Sequence, residues 1–267
     1  MDHELNRGVR VATWNLWWRN GDWRARQHTI GQVLTDLAPD IVALQEVCSS
    51  DPDQPAWLRE DLGFSVATAP DVDEDHGLVN AVATRWPISA SGWEYLDVGD
   101  LPPHRSVLWC EVEAPVGPID VYCTHLSHGF DQSALRQRQV AQVLRLVAER
   151  RGDPETAFPP LLLGDLNAVP DSDEIRRLTG LSPSPADGLV FSDAWNHAGA
   201  GAGVTYSETN PHVNDSAWPE RRLDYVLVGW PRPRPRGNPA TAQLFGVDPV
   251  EGMVGSDHYG VVVDLHA

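Results

Sequence analysis

Two periods of apolar positions alternate along the chain. Val9–Trp17 reads as a strand, and Asp40–Val47, with Ile41, Val42, Ala43 and Leu44, as another. Between them Trp23–Ala38 places Ile30, Val33, Leu34 and Leu37 on one helical face, and Pro39 stops it. A short helix follows at Ala56–Leu62. Strands then crowd at Asn80–Trp86, Val107–Ala114 and Pro118–Leu126. The clearest helix is Ser133–Arg151, with Leu135, Val140, Val143, Leu144 and Val147 inward and Arg outward. Ser133 is its expected N-cap and Gly152 its expected C-cap. Leu161–Leu163 predicts a short buried strand and Asp171–Leu178 a short helix. Later strands are expected at Leu223–Val228, Gln243–Val247 and Gly260–Leu265. The pattern predicts one α/β domain over residues 1–267, with mostly antiparallel sheets and helices outside.

Composition narrows the function. The 267 residues are enough for a large core without disulfides. No apolar run approaches the ~20 residues of a membrane helix. The polar start, Met1–Arg7, predicts no secretory leader, and Cys48, Cys110 and Cys123 show no metal-type pairing, so a cytoplasmic protein is expected. The formal net charge is −18, and all 20 basic residues are Arg. Lysine Schiff-base and P-loop chemistry are thereby excluded. Tight non-specific DNA binding is disfavoured. The run Arg232-Pro233-Arg234-Pro235-Arg236 reads as a solvated polyproline-like loop ahead of a phosphate-facing patch. Loops 181–189 and 198–203 are expected to be mobile.

Four motifs end or precede apolar strands, where a scaffold holds polar groups rigidly: Thr13-Trp14-Asn15-Leu16, Leu44-Gln45-Glu46-Val47, Leu163-Gly164-Asp165-Leu166-Asn167 and Gly255-Ser256-Asp257-His258. Cys123-Thr124-His125-Leu126 and Arg222-Leu223-Asp224-Tyr225 support them. Each alone has an ordinary structural reading: a strand end, an Asx-turn, a surface ion pair, a core histidine. Together they supply the parts of phosphoester hydrolysis. Glu46 and Asp257, with Asn15 nearby, are hard oxygen ligands for Mg²⁺ or Mn²⁺. Asp165 can orient and deprotonate a water, and histidines can hydrogen-bond phosphoryl oxygens. Cys123 shares a strand face with His125, but its apolar neighbours Val121 and Tyr122 predict an inert thiol.

In order and approximate spacing, Asn15, Gln45-Glu46, Thr124-His125, Gly164-Asp165-Leu166-Asn167, Leu223-Asp224-Tyr225 and Ser256-Asp257-His258 resemble the endonuclease/exonuclease/phosphatase (DNase I-like) superfamily. The resemblance runs from Val11 to Val262, and Asn80–Ile88 is similar to the strand and turn before the family's central hairpin. It implies a four-layer α/β sandwich, two packed mixed β-sheets flanked by helices, with the site at one end. It also implies roles: Glu46 as main metal ligand with Asn15 and Asp257, and Asp165 activating water with help from Asn167. His258, oriented by Asp224, would contact the scissile phosphate, and His125 would stabilise phosphoryl oxygens. Arg105 and Asn80 are expected near the substrate, and the Gly203–Pro211 loop can shape the pocket.

The motifs and the resemblance imply a phosphoester substrate. The charge balance favours a small-molecule, nucleotide or lipid-like one over the DNA or RNA of an abasic-site-type nuclease, although Trp218 and Arg222-Leu223-Asp224-Tyr225 partly resemble the latter. The remaining class is a non-catalytic binding module on the same fold; the intact motif set speaks against it. Oligomeric state is not legible in the chain.

Overall fold

The computed structural model describes residues 8–69, 77–99, 105–213 and 217–267; the N-terminal stretch Met1–Arg7, read above as lacking a leader, lies outside them. The first half of the chain runs β1 (Val9–Asn15), α1 (Trp23–Leu37), β2 (Ile41–Cys48), α2 (Gln54–Glu60), β3 (Ser65–Thr68), β4 (Leu78–Thr84), β5 (Ile88–Tyr95), β6 (Ser106–Ala114) and β7 (Gly117–His125). It continues with α3 (Ser133–Arg150), β8 (Leu161–Asp165), α4 (Asp173–Leu178), β9 (Val190–Asp193), α5 (Ala194–Ala198), β10 (Asp224–Trp230), β11 (Pro239–Phe245) and β12 (Gly260–Leu265).

The strands form two six-stranded sheets, ordered β11-β12-β1-β2-β4-β3 and β5-β6-β7-β8-β10-β9. Both are mixed: β1 runs parallel to β2 and β7 parallel to β8, while the other pairings are antiparallel. Alternation along the strands sorts the apolar residues into three layers. Val9, Val11, Ile41 and Ala43 meet Leu108, Val121, Leu161 and Val226 between the sheets. Ala12, Trp14, Val42 and Leu44 turn the other way, onto Ile30 and Leu34 of α1. Tyr122, Leu162 and Leu227 pack on Val140, Val143 and Val147 of α3. The result is the expected helix–sheet–sheet–helix sandwich.

Several local expectations differ. The N-cap of α3 is Gln132, not Ser133; Ser133 opens the helix and its hydroxyl accepts from Gln137. The helix ends at Arg150 and leaves through an extended Arg151 (φ −56°, ψ 142°), so Gly152 is not a left-handed cap. Arg136 points inward: it is buried, with Nε donating to Glu174 at 2.8 Å and Nη1 to the Ser127 and Gly129 carbonyls. Arg232 is half-buried, donating to Asn238, Ser192 and the Gly229 carbonyl, so the Arg-Pro run is anchored at its first arginine. No helix among the described residues is long and apolar enough to cross a membrane.

Candidate functional site

One end of the sandwich collects the polar motifs. Asn15, Glu46, His125 and Asp165 lie at or near the C-terminal ends of β1, β2, β7 and β8. Asp224 opens β10 and the Ser256–His258 turn precedes β12; both strands run antiparallel to their neighbours, which brings them to the same end. In the register, Asp165 stands beside His125 on one side and Asp224 on the other.

Backbone irregularities aim the side chains. The β2–β4 ladder shifts register between Leu44 and Val47, and Glu46 takes φ 51°. Leu44 and Val47 therefore share the helix-facing layer although three residues apart, and the extra residue turns Glu46 into the cleft. Asn167 also adopts a positive φ, 47°. Such left-handed non-glycine residues are uncommon and cluster where a site demands them. At Gly164 (φ 151°) a Cβ would strike the Thr124 carbonyl oxygen, so only glycine lets β8 approach β7 directly before Asp165.

The cleft has a volume of about 440 Å³. Glu46, Arg105, His125, Asp165, Asn167, Asp257 and His258 line it. Asn15 lies beneath: Nδ2 donates to Glu46 Oε1 and to Asp165 Oδ2, both at 3.1 Å, and Oδ1 accepts from the Trp17 backbone N–H. Asp165 Oδ1 accepts from the Asn167 N–H, and Asn167 Nδ2 donates to the Leu126 carbonyl. His258 Nδ1 sits 2.8 Å from Asp224 Oδ2, and its Nε2 is 3.9 Å from Asp165 Oδ2. His125 Nε2 is 3.4 Å from the same oxygen. Arg105 Nη1 contacts His125 Nδ1 at 2.9 Å and Nη2 contacts His128 Nδ1 at 3.4 Å. A guanidinium can only donate, so both Nδ1 atoms accept and the two rings carry their protons on Nε2. Asn80 is not among the residues lining the cleft; its Nδ2 donates to the Ser106 carbonyl, tying β4 to β6.

Electrostatics follow from crowding acids in a buried place. Burial, then the charge of Asp224, pushes Asp165 up to about 7. Burial also raises Asp257, to about 6, with Glu46 adding to the effect. For His258 burial opposes the charged ring, but Asp224, Asp165 and Asp257 prevail and raise its pKa well above the usual value. Burial lowers Arg105, against the fields of Glu46 and Asp165. Cys123 is fully buried and pushed up to about 12, as an inert thiol should be.

Among the described residues, two sets of side chains at the site could hold a cation. Asp165, Asp224 and His258 offer atoms within 4.8 Å of one another. There, however, His258 is already hydrogen-bonded to Asp224, the arrangement of an oriented imidazole. Glu46, on β2, and Asp257, in the turn before β12, are two carboxylates whose like charges reach each other in a buried cleft. That donor chemistry, two hard carboxylate donors side by side, fits a divalent ion such as Mg²⁺.

The sequence reading overlooked Arg26, which is buried in α1. Its Nε donates to the Asn20 carbonyl, Nη1 to Leu16 and Gly255, and Nη2 to Trp17 and Trp18. One side chain thus stitches the loop after Asn15 to the segment before Asp257. Tyr206, within the loop expected to shape the pocket, lines the cleft together with His128, Trp17, Trp18 and Trp218. The same loop braces the site: Thr205 Oγ1 accepts the Leu223 and Asp224 N–H groups, and Asn210 Nδ2 donates to the Ser256 carbonyl.

Comparison with known proteins agrees with this fold. The Endonuclease/Exonuclease/phosphatase family matches residues 12–258. No curated protein matches the sequence. Among solved structures, D. rerio TDP2 complexed with a single-strand DNA product superposes with TM-score 0.79 at 18% identity, covering 97% of this chain and 99% of that one. An endonuclease/exonuclease/phosphatase protein from Bacteroides vulgatus gives TM-score 0.75 at 21% identity, covering 97% and 98%. Another, from Beutenbergia cavernae DSM 12333, gives TM-score 0.67 at 26% identity, covering 97% of this chain and 72% of that chain. With the motifs gathered at one end of its two sheets, this chain belongs to the endonuclease/exonuclease/phosphatase family.

Proposed function

We propose that the protein is a metal-dependent phosphoesterase that cleaves its substrate by direct attack of water, the whole chain acting as one catalytic domain. The observation that carries this reading is the Asp224–His258–Asp165 array, joined through Asn15 to Glu46. Glu46 and Asp257, supported by Asn15, would hold Mg²⁺ or Mn²⁺, which when bound supplies charge to the phosphoryl oxygens. Asp165 sits near neutral pKa, where a carboxylate can take a proton from water at physiological pH. Asn167, which lines the cleft, would hold that water or the phosphate. His258, kept cationic by Asp224, and His125, donating through Nε2, stabilise charge developing on the phosphate. Arg105 adds a buried guanidinium to the same wall.

The substrate is a small-molecule, nucleotide or lipid-like phosphoester in preference to duplex nucleic acid, a reading supported by the charge of −18. Three buried free cysteines support a reducing compartment, the cytoplasm. A panel of p-nitrophenyl phosphate, bis-p-nitrophenyl phosphate, single-stranded RNA and abasic-site DNA, each with Mg²⁺ and with EDTA, tests the proposal. Hydrolysis of at least one ester, lost in EDTA and restored by Mg²⁺ or Mn²⁺, is expected. Full activity in chelator would exclude the metal, and no hydrolysis anywhere would favour a binding module.

A further inference from the structure

The arginine-proline run lines a second cavity, at the other end of the sandwich. β10 leaves the reacting groups at Asp224 and ends at Trp230, on the order of 20 Å away along the strand. There a cavity of about 370 Å³ is lined by Ser192, His197, Trp230, Arg232, Arg234 and Asn238. Its volume falls at the lower end of small-molecule sites. None of its lining residues is acidic, on a chain whose net charge is −18.

The Arg232 guanidinium is fixed by neutral acceptors. Nε donates to Asn238 Oδ1 at 3.1 Å, and Nη1 to the Gly229 carbonyl at 2.9 Å and Ser192 Oγ at 3.3 Å. Its charge is therefore held but not neutralised, whereas Arg136 and Arg222 each meet a carboxylate at 2.8 Å. Arg232 Nη2 and Asn238 Nδ2 find no acceptor among the described residues, and Arg234 makes no hydrogen bond or ion pair to any of them. Burial, then the like charge of Arg234, lowers the Arg232 pKa. The backbone holds these donors in place. Asn238 N–H donates to the Pro235 carbonyl, and the Asn238 carbonyl accepts from His266. Gly237, at φ 69°, has no room for a Cβ, which would strike the Pro159 ring. Pro231, Pro233 and Pro235 fix φ along the run, so little order is lost when a ligand arrives.

We propose that this cavity is a binding site for a phosphate group, separate from the cleft, with Arg232 and Arg234 as its charged partners and Asn238 Nδ2 as a further donor. A guanidinium fork matches phosphate oxygens, and a dianion offsets two neighbouring cations where a carboxylate offsets only one. Trp230, 53% exposed beside the arginines, offers a flat surface to a base carried by the phosphate. The site needs no turnover at the cleft, so it stands whether or not the phosphoesterase reading does.

Calorimetric titration with inorganic phosphate, in EDTA and at constant ionic strength, tests the site without metal or hydrolysis. One phosphate should bind per chain, and acetate should bind at least about 10-fold more weakly. Arg234→Gln, at an exposed position, should weaken phosphate about 10-fold or more, the scale of one charge-assisted hydrogen bond, with an unchanged melting temperature. Arg232→Gln should weaken it as much but also lower the melting temperature, because it gives up three internal bonds. Arg105→Gln, in the cleft, should leave the isotherm unchanged. No binding, binding that survives Arg234→Gln, binding lost in Arg105→Gln, or acetate binding as tightly as phosphate overturns the proposal. The phosphonate analogue of AMP, whose C–P bond resists hydrolysis, separates the two sources of the phosphate. Affinity at least about 10-fold above that of phosphate, lost in Trp230→Ala, assigns the site to a nucleotide. Equal affinities, untouched by Trp230→Ala, assign it to free phosphate.

Discussion

Asn15 and Asp165 are 150 residues apart in the chain, yet Asn15 Nδ2 donates to Asp165 Oδ2 at 3.1 Å. The bond joins the two sheets, since Asn15 ends β1 and Asp165 ends β8. The same amide serves Glu46, so one side chain spaces the two carboxylates. Asn15→Ala leaves both acids short of a donor. A stability loss of about 1–3 kcal/mol is expected, the cost of unpaired buried polar groups. Asp165 also loses a bond that lowers its pKa, so the acidic limb of the activity profile should move to higher pH. Urea unfolding and a pH–rate profile check both; an unchanged midpoint and limb would assign Asn15 no such role.

Asp165 and His258 separate chemistry from folding. Both are buried, yet both line the cleft. Asp165→Asn keeps the shape and removes a charge that burial disfavours. Turnover should fall by ~10²-fold or more while the melting temperature holds or rises. His258→Ala should cost a similar factor in turnover. A collapse of melting temperature in Asp165→Asn, with activity proportional to the folded fraction, would make the position structural.

The central strands were legible because they are buried on both faces and read as unbroken apolar runs, as in Ile41–Leu44 and Leu161–Leu163. The edges were not. β3, β5 and β9 went unpredicted and β11 was placed several residues late; all four are edge strands. β5, Ile88–Tyr95, is mostly exposed and carries Ser, Ala and Gly, so no burial pattern marks it. At the site, carboxylates and histidines at strand ends were visible as motifs. Arg26 was not, because an arginine within a helix reads as solvent-facing. The turning of Glu46 by a bulge and the meeting of Phe130 with Trp218 arise only from tertiary structure.

Three groups give the metal-free protein one sign of pH dependence. Asp165 and Asp257 are raised to about 7 and about 6, and His258 is raised well above its usual value. A group with a raised folded pKa contributes stability that is complete below its unfolded pKa. That contribution is lost as pH rises through the folded pKa. For the two acids the window runs from about 4 to about 7; for His258 it begins near 6.5 and extends above. In EDTA, therefore, these groups should make the protein less stable from pH 4 to pH 8. Asp165→Asn and Asp257→Asn should each flatten the decline. Melting curves across that range that keep the full wild-type slope in both variants would contradict the assignment.

Arg26 should govern the cation site from a distance. Burial lowers its pKa to about 10, while Asp257 and Glu46 pull the other way, so its charge is felt by both acids. Lysine carries three donors in place of five and cannot reach the five carbonyls together. Arg26→Lys is expected to lose at least about 2 kcal/mol of stability. It should also raise the Mg²⁺ concentration for half-saturation by several-fold, as the Trp17–Trp18 loop and Gly255 lose their shared tie. Calorimetric Mg²⁺ titration without substrate reads the second effect independently of turnover. Identical Mg²⁺ isotherms would confine Arg26 to folding.

The arginine inventory sets the expectation for duplex DNA. Affinity for a duplex comes from neutralised phosphates, and each one steepens the salt dependence. Here Arg10 is paired with Asp264, Arg136 with Glu174, Arg138 with Asp97 and Arg222 with Asp193. Arg26 and Arg105 are buried at the site, and Arg221 lies among aromatic rings. The cleft itself presents Glu46, Asp165 and Asp257. The arginines outside these pairs and the site act against a net charge of −18. Binding to a duplex at physiological salt should therefore be weaker than about 10⁻⁶ M, the tight end of ordinary non-specific binding. Fluorescence anisotropy with a labelled duplex at two salt concentrations measures it. Tight binding with a steep salt slope would sink the expectation and move an abasic-site-type nuclease to first place.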